Sequence, residues 1–132
     1  MAAVYVNKIG TAVPPYDAHW KFIDYACGLL SSEPKRQLFR KMAERGQIEH
    51  RYSFLQPSQH ELGTDVENFY QRGRFPDTSA RMRFFERNAL TLAVDALNAI
   101  DFRNISREVT HLILGCCTGF YAPGLDIDIV KR

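Results

Sequence analysis

Two short apolar runs, one near each end of the chain, predict β-strands. In residues 2–9, Val4, Val6 and Ile9 alternate with polar or aromatic positions, which is typical of a strand. Residues 109–114 are rich in β-branched residues and leucine, which predicts a strand buried on both faces. About a hundred residues with mostly helical periodicity separate these two runs.

Apolar residues repeat at three- and four-residue spacing over three longer segments, and this spacing predicts helices. The segments are residues 16–30, a helix capped by Ser31 or Ser32 that ends at Gly46, and a helix from Thr78 or Ser79 to Ile100. The second helix is expected to turn Leu38, Phe39 and Met42 inward, and the third carries an apolar stripe of Met82, Phe85, Ala89, Ala93, Ala96 and Ile100.

Shorter elements are predicted from single cues. Thr64 is a possible cap for a short helix containing Val66, Phe69 and Tyr70, whereas residues 101–108 are expected to form a loop. A last helix begins at Leu125, after the break made by Pro123 and Gly124.

The fold class that follows is α/β, helix-rich and with an incomplete sheet. Parallel sheets need both faces covered and several strands to bury a core. Two strands cannot meet that need, so apolar surface and self-association are expected for the isolated chain.

The first place to look for a site is the small-residue loop after the second predicted strand. It reads Gly115-Cys116-Cys117-Thr118-Gly119, and ligands collect at the carboxyl ends of strands in open α/β sheets. The simplest interpretation of the two cysteines is that they are small, buried and reduced. A nucleophilic role is the alternative, but His111 lies about 16 Å from Cys116 along an extended strand, too far to act as its base.

Composition limits the classes of function. The chain has 132 residues, 45% hydrophobic and 24% charged, which is typical of a globular protein. Nothing in it predicts a membrane span or a signal peptide, so a cytoplasmic location is expected. The net charge of +2 does not favour nucleic acid. Adjacent strand residues point to opposite faces, so no metal site is predicted at Cys116 and Cys117.

Three groups of residues, in order along the chain, together resemble the type III polyketide synthases, the chalcone synthase-like enzymes. The groups are the opening turn Ile9-Gly10-Thr11-Ala12-Val13-Pro14, the run Phe39-Arg40-Lys41-Met42 with Ile48 and Arg51-Tyr52, and the loop from Thr110-His111-Leu112 through Thr118-Gly119 to Ala122-Pro123-Gly124-Leu125-Asp126. The resemblance implies that residues 1–132 are the amino-terminal part of a thiolase-like layered fold.

The resemblance also implies roles for particular residues. Family members use a Cys-His-Asn catalytic set, which is expected beyond Arg132, so no catalytic residue is assigned in this chain. Cys117, Thr118, Gly119 and Ala122 match positions that line the acyl cavity, and Ala122 is shorter than the methionine that plant members often carry there.

Coenzyme A is the ligand that the resemblance assigns to the second helix. Lys41 and Arg45 lie one turn apart on one face, and basic residues at these positions hold the coenzyme A phosphates in the family. A third position that is usually lysine is Leu38 here. A solvated basic face is the alternative interpretation, since Lys35, Arg36 and Arg40 lie nearby.

Three functions remain open. The first is an acyltransferase that condenses acyl-coenzyme A starters with malonyl-coenzyme A. The complete enzyme is expected to be a homodimer without a bound cofactor or metal, and the 132 residues alone are expected to be inactive. The second is a non-catalytic module for coenzyme A binding or dimerisation. The third is an enzyme similar to β-ketoacyl carrier-protein synthase III, which shares the fold.

Overall fold

The computed structural model describes residues 3–60 and 63–132, in which helices are joined by irregular segments and one small sheet. The elements are β1 (Tyr16–Asp17), α1 (His19–Leu29), α2 (Glu33–Arg45), β2 (Tyr52–Ser53), α3 (Thr78–Asn98), α4 (Phe102–Ile105), a 3-10 turn (Ser106–Glu108) and α5 (Leu125–Val130). The chain divides into two compact units. One unit is Pro14–Pro76, in which residues 61 and 62 are not described. The other unit combines the described residues up to Val13 with Asp77–Arg132.

In the unit formed by Pro14–Pro76, α1 and α2 pack side by side and polar contacts join them. Arg40 donates to the Asp24 carboxylate at 2.8 Å, and Arg36 donates to the Leu30 carbonyl at 3.0 Å. The predicted bounds of α2 are confirmed, because Ser32 precedes the helix in extended backbone and Gly46 follows its last residue.

The packed face of α2 differs from the predicted one. Leu38 and Met42, expected inside, are 60% and 63% exposed. Phe39, the third residue expected inside, is half-buried as predicted, and so is Ala43; both lie on the side that carries the contacts to α1. Helical periodicity then turns Leu38 and Met42 toward solvent.

The helix predicted after Thr64 is absent, and a side-chain network replaces it. Asp65, almost fully buried, accepts hydrogen bonds from the backbone N–H groups of Phe69 and Tyr70 at 2.8 and 2.9 Å. The Thr64 hydroxyl donates to the Tyr70 carbonyl at 2.8 Å. An Asp side chain that bonds nearby backbone N–H groups offers the chain an alternative to helix, and here that alternative is the one that forms.

In the other unit, the long helix α3 is the central element and packs against α4 and α5. Its predicted start is confirmed: Asp77 is the N-cap, and its carboxylate accepts from the Ala80 N–H at 2.7 Å. The helix ends two residues before the predicted Ile100. The predicted apolar stripe is half-buried along its length.

The two predicted strands do not form. Residues 3–9 and 109–114 carry no regular secondary structure, and Val4 and Ile113 are 94% and 93% exposed. Residue 2 of the first prediction lies outside the described residues. A strand is stabilised by hydrogen bonds to its neighbours. Neither segment has such a neighbour within residues 3–60 and 63–132, which explains why both apolar runs stay exposed.

Two other boundaries differ from the sequence prediction. Residues 16 and 17, predicted to begin α1, instead pair in antiparallel fashion with β2, Tyr16 opposite Ser53 and Asp17 opposite Tyr52. The helix therefore starts at His19. Residues 101–108, predicted as a loop, contain α4 and the 3-10 turn. In the part of the chain that is described, no helix combines the length and apolarity that crossing a membrane requires.

Gly10 lies so close to α3 that any larger residue must displace it. A Cβ at this position would overlap the Ala96 carbonyl and lie 2.8 Å from a methyl group of Ile100. We predict that Gly10→Ala lowers the free energy of unfolding by about 1–3 kcal/mol, measured by urea denaturation followed by circular dichroism. Gly115→Ala, in the same unit and with open space at its Cβ, serves as the control and is expected to change stability little. Equal stability of the two variants would contradict the close approach.

Candidate functional site

The candidate residues form two groups, one in each compact unit. The loop of residues 115–124 lies in the unit built on α3, and Lys41 and Arg45 lie on α2 in the other unit.

An aromatic side chain of α3 holds the loop. Gly119 lies against the Phe85 ring so closely that a Cβ on this glycine would overlap the ring atoms. The Phe85 and Tyr121 rings meet edge to face, with centroids 6.1 Å apart and an interplanar angle of 61°. Glycine at 119 and an aromatic residue at 121 thus allow the loop to seat on the helix.

A hydrogen bond joins the same loop to α5. The Tyr121 hydroxyl donates to the Asp128 carboxylate at 2.7 Å. This hydrogen bond, together with desolvation, raises the pKa of Tyr121 to about 12. At neutral pH the phenol is therefore a neutral donor. Its role in this geometry is to position the loop against the helix, since a group with so high a pKa is a poor general base near pH 7.

An open groove lies between the loop, α3 and residues 112–114. Its volume of about 360 Å³ falls within the size range of small-molecule sites. Its lining combines apolar side chains with one thiol, one phenol and one carboxylate. The lining residues are Phe85, Leu112, Leu114, Cys116, Gly119, Phe120, Tyr121, Gly124, Leu125 and Asp126.

The residues singled out from the sequence relate to this groove in different ways. Gly119 is half-buried and lines it, whereas Cys117, Thr118 and Ala122 are exposed and lie outside its lining. Cys116, to which no lining role was assigned, forms part of the wall, and its sulfur accepts a hydrogen bond from the Gly119 N–H at 3.2 Å.

The prediction that Cys116 and Cys117 are buried is wrong for this chain, because both are free and exposed. The prediction depended on a strand ending at residue 114, and that strand does not form. The chain instead bends at Cys117 and Thr118. His111, the histidine closest to them in sequence, is exposed, and its Nδ1 lies 2.8 Å from the Thr110 hydroxyl.

On α2, four of the five basic side chains divide into two sets, and the fifth, Lys35, is exposed. Arg36 and Arg40 are held by contacts to Glu33, Leu30 and Asp24. Lys41 and Arg45 are exposed, and within residues 3–60 and 63–132 their side chains make no hydrogen bond or ion pair. One face of α2 therefore presents two uncompensated cations one turn apart, beside the exposed Leu38 and Met42.

A second groove, in the unit of α1 and α2, was not anticipated from the sequence. It has a volume of about 690 Å³ and is lined by Trp20, Glu44, Gln47, Ile48, Glu49 and His50. Beside it, Asp17 connects two segments: one carboxylate oxygen accepts from the backbone N–H groups of His19 and Arg51 at 3.1 and 3.3 Å, and the other lies 2.6 Å from His50 Nδ1. An Asp just before a helix is a capping signal that could have revealed this position.

The Asp17–His50 contact alters both ionisation equilibria. The hydrogen bond to Asp17 raises the pKa of His50 above its usual 6.5. The same hydrogen bond, with the two backbone donors, lowers the pKa of Asp17 below its usual 3.8. Both side chains are exposed, His50 with 57% and Asp17 with 36% of its area accessible, so solvent and salt screen the pair.

A metal centre with three or more ligands is not assembled in the part of the chain that is described: residues 3–60 and 63–132 contain no group of three His, Cys, Asp or Glu side chains arranged for one.

Comparison with known proteins gives one partial similarity. An alignment over 56 residues, which covers 39% of this chain, shows 43% identity to the alpha-pyrone synthesis polyketide synthase-like protein Pks18 of Mycobacterium tuberculosis, in two strains, and to its counterpart in Mycobacterium bovis. The match spans 14% of the length of these relatives. No family model matches the chain, and no solved structure matches it. Part of the chain is thus similar to a polyketide synthase-like protein.

We predict that Asp17 controls the ionisation of His50. The stabilisation by the raised pKa of His50 is fully present below 6.5 and is lost as the pH rises through the raised value. The stabilisation by the lowered pKa of Asp17 is present above 3.8 and is lost as the pH falls through the lowered value. The pair therefore stabilises the unit most between pH 3.8 and pH 6.5, where the stabilisation from both groups is fully present.

The measurement is an NMR titration of the His50 ring. Asp17→Asn should bring the pKa of His50 down toward 6.5, whereas Asp24→Asn, which removes an exposed carboxylate paired with Arg40, should leave it unchanged. An unchanged His50 titration in Asp17→Asn would show that the contact does not persist in solution.

Proposed function

We propose that this chain is the amino-terminal part of a type III polyketide synthase-like acyltransferase with a thiolase-like fold. In the complete enzyme, an acyl group from a coenzyme A starter is loaded onto a cysteine and extended by decarboxylative condensation with malonyl-coenzyme A. The observation that carries this proposal is the 43% identity over 56 residues to a polyketide synthase-like protein. The resemblance of residues 110–126 to a loop of this family also supports it.

The exposed apolar segments also support the proposal. Residues 3–9 and 109–114 have strand-like sequences and leave large apolar side chains in solvent, Val6 at 80% and Ile113 at 93%. Further strands, supplied by polypeptide that follows Arg132 in the complete enzyme, would cover these side chains and complete the backbone hydrogen bonds.

The residues of this chain then serve the reaction by shaping the cavity and holding the substrate. Cys117, Thr118, Gly119 and Ala122 form part of the acyl cavity wall, and Lys41 and Arg45 bind the phosphates of coenzyme A. The reacting cysteine, histidine and asparagine are placed beyond Arg132. A cytoplasmic homodimer is the proposed form of the enzyme.

The deciding experiment uses the complete reading frame. Its continuation past Arg132 should encode a cysteine at a strand-to-helix turn, with histidine and asparagine further on. The purified product should release coenzyme A and carbon dioxide from malonyl-coenzyme A and an acyl-coenzyme A starter, with no carrier protein added. A strict requirement for a malonylated carrier protein would favour the enzyme of the β-ketoacyl carrier-protein synthase III kind. A natural stop after Arg132 would contradict the acyltransferase.

The exposed, uncompensated cations on α2 favour a second function, binding of coenzyme A without turnover. Within residues 3–60 and 63–132, Lys41 and Arg45 make no ion pair with an acidic side chain, so both remain able to bind a diphosphate. Charge-assisted contacts to phosphate are about twice as strong as neutral ones.

For this function we predict that the 132-residue chain binds coenzyme A in calorimetric titration. Lys41→Ala combined with Arg45→Ala should weaken the affinity by about tenfold or more, the equivalent of losing about 1.4 kcal/mol. Lys35→Ala, which removes another exposed cation of α2, six positions before Lys41, is the matched control and should bind as the unaltered chain does. Equal binding by all three proteins, or none by any, would contradict the assignment.

A further inference from the structure

The groove beside the end of α2 brings together one aromatic ring and two carboxylates that the proposed acyl transfer does not use. Its walls include Trp20 from α1, Glu44 from the last turn of α2 and Glu49 from the segment that follows. A tight turn separates the two glutamates: the Gln47 N–H donates to the Glu44 carbonyl at 3.2 Å, and Gln47 has a left-handed backbone with φ 51°. Both glutamates therefore line the same groove.

Two rings at the walls of the groove are held in place by neighbouring side chains. The Trp20 ring meets the ring of buried His19 edge to face, with centroids 5.0 Å apart. The His50 Nδ1 lies 2.6 Å from the Asp17 carboxylate, and the His50 ring stacks on Tyr52. Trp20 keeps 46% of its area accessible, so part of the indole is open to a ligand. Walls that are already ordered reduce the entropy cost of binding.

The groove carries an excess of negative charge. Glu44 and Glu49 are exposed, and neither forms an ion pair within residues 3–60 and 63–132. None of the described lining residues is lysine or arginine, and the basic residues of α2 lie outside that lining. Asp17 matches the charge of protonated His50, so His50 does not cancel the two glutamates.

We propose that this groove binds a small organic dication, a diamine with an ammonium group at each end of a short aliphatic chain. Tryptophan is the aromatic side chain that attracts a cation best. Each glutamate can pair with one ammonium group. Ile48, 39% exposed at the groove wall, offers apolar contact to the aliphatic chain between them.

The size of the groove favours a free amine over a basic peptide. Its volume of about 690 Å³ falls within the range of small-molecule sites. The described lining is confined to Trp20, Glu44 and residues 47–50, which is a short footprint for a peptide. The site goes beyond the proposed acyl transfer, because it takes a cation and needs neither an acyl group nor coenzyme A.

The first test follows the fluorescence of Trp20, the single tryptophan of the chain, which reports directly on the groove. Titration of the 132-residue chain with 1,4-diaminobutane should change the emission saturably, with half-saturation on the order of 1 mM. The uncharged 1,4-butanediol, and sodium chloride at matched ionic strength, should give no saturable change. An equal response to either control, or no response to the diamine, would overturn the proposal.

The second test removes the carboxylates. Glu44→Gln and Glu49→Gln should each weaken diamine binding by about threefold, and the double variant by about tenfold, because exposed ion pairs contribute modestly. Glu67→Gln is the matched control, since Glu67 is an exposed glutamate of the same unit outside the described lining. Circular dichroism checks that each variant keeps its helices. Unchanged affinity in the double variant, or an equal loss in Glu67→Gln, would refute the site.

A tetralysine peptide separates the free amine from a basic protein partner. It carries the same ammonium groups on a longer chain, and we expect it to bind no more tightly than 1,4-diaminobutane. Binding of the peptide at least about tenfold tighter, with loss in the Glu44→Gln and Glu49→Gln double variant, would assign the groove to a basic protein and overturn the diamine. None of these results would bear on the acyltransferase proposal, which is tested by condensation activity.

Discussion

A β-strand is stabilised by neighbours that complete its backbone hydrogen bonds, and this constraint governs the unit built on α3. Residues 3–9 and 109–114 have the composition of strands, yet they stay irregular and exposed. The helices of the same unit form because their hydrogen bonds are internal to each helix. Among the residues that the structure describes, this unit therefore consists of helices and two apolar segments that pair with no strand.

The unit of Pro14–Pro76 is held differently, by polar groups that bond to backbone. Asp17 joins the start of α1 to residues 50–51, and Asp65 organises the turn of residues 66–70. Among residues 14–60 and 63–76, the buried apolar side chains are Ala18, Cys27 and Leu55. Because this apolar core is small, the hydrogen bonds of Asp17 and Asp65 contribute much of what holds the loops in place.

The loop of residues 115–124 shows how a functional surface can form without the strand that precedes it. Phe85 and Tyr121 fix its second half against α3, and the Tyr121–Asp128 hydrogen bond ties it to α5. Its first half, with the two cysteines, lacks comparable anchors and remains open. One loop thus provides both a groove wall at Gly119 and exposed thiols at Cys116 and Cys117.

The sequence by itself determined the features with local causes. The bounds of α2 follow from Ser32, Pro34 and Gly46, and the start of α3 follows from its cap at Asp77, because caps and periodicity act within a few residues. The tertiary structure decided the features that depend on distant neighbours: which face of α2 packs, the pairing of Tyr16 with Ser53, and the exposure of residues 109–114. It also decided that Cys116 lines the groove while Cys117 does not. Burial, register and groove lining are properties of pairs of segments, and no local pattern specifies the partner.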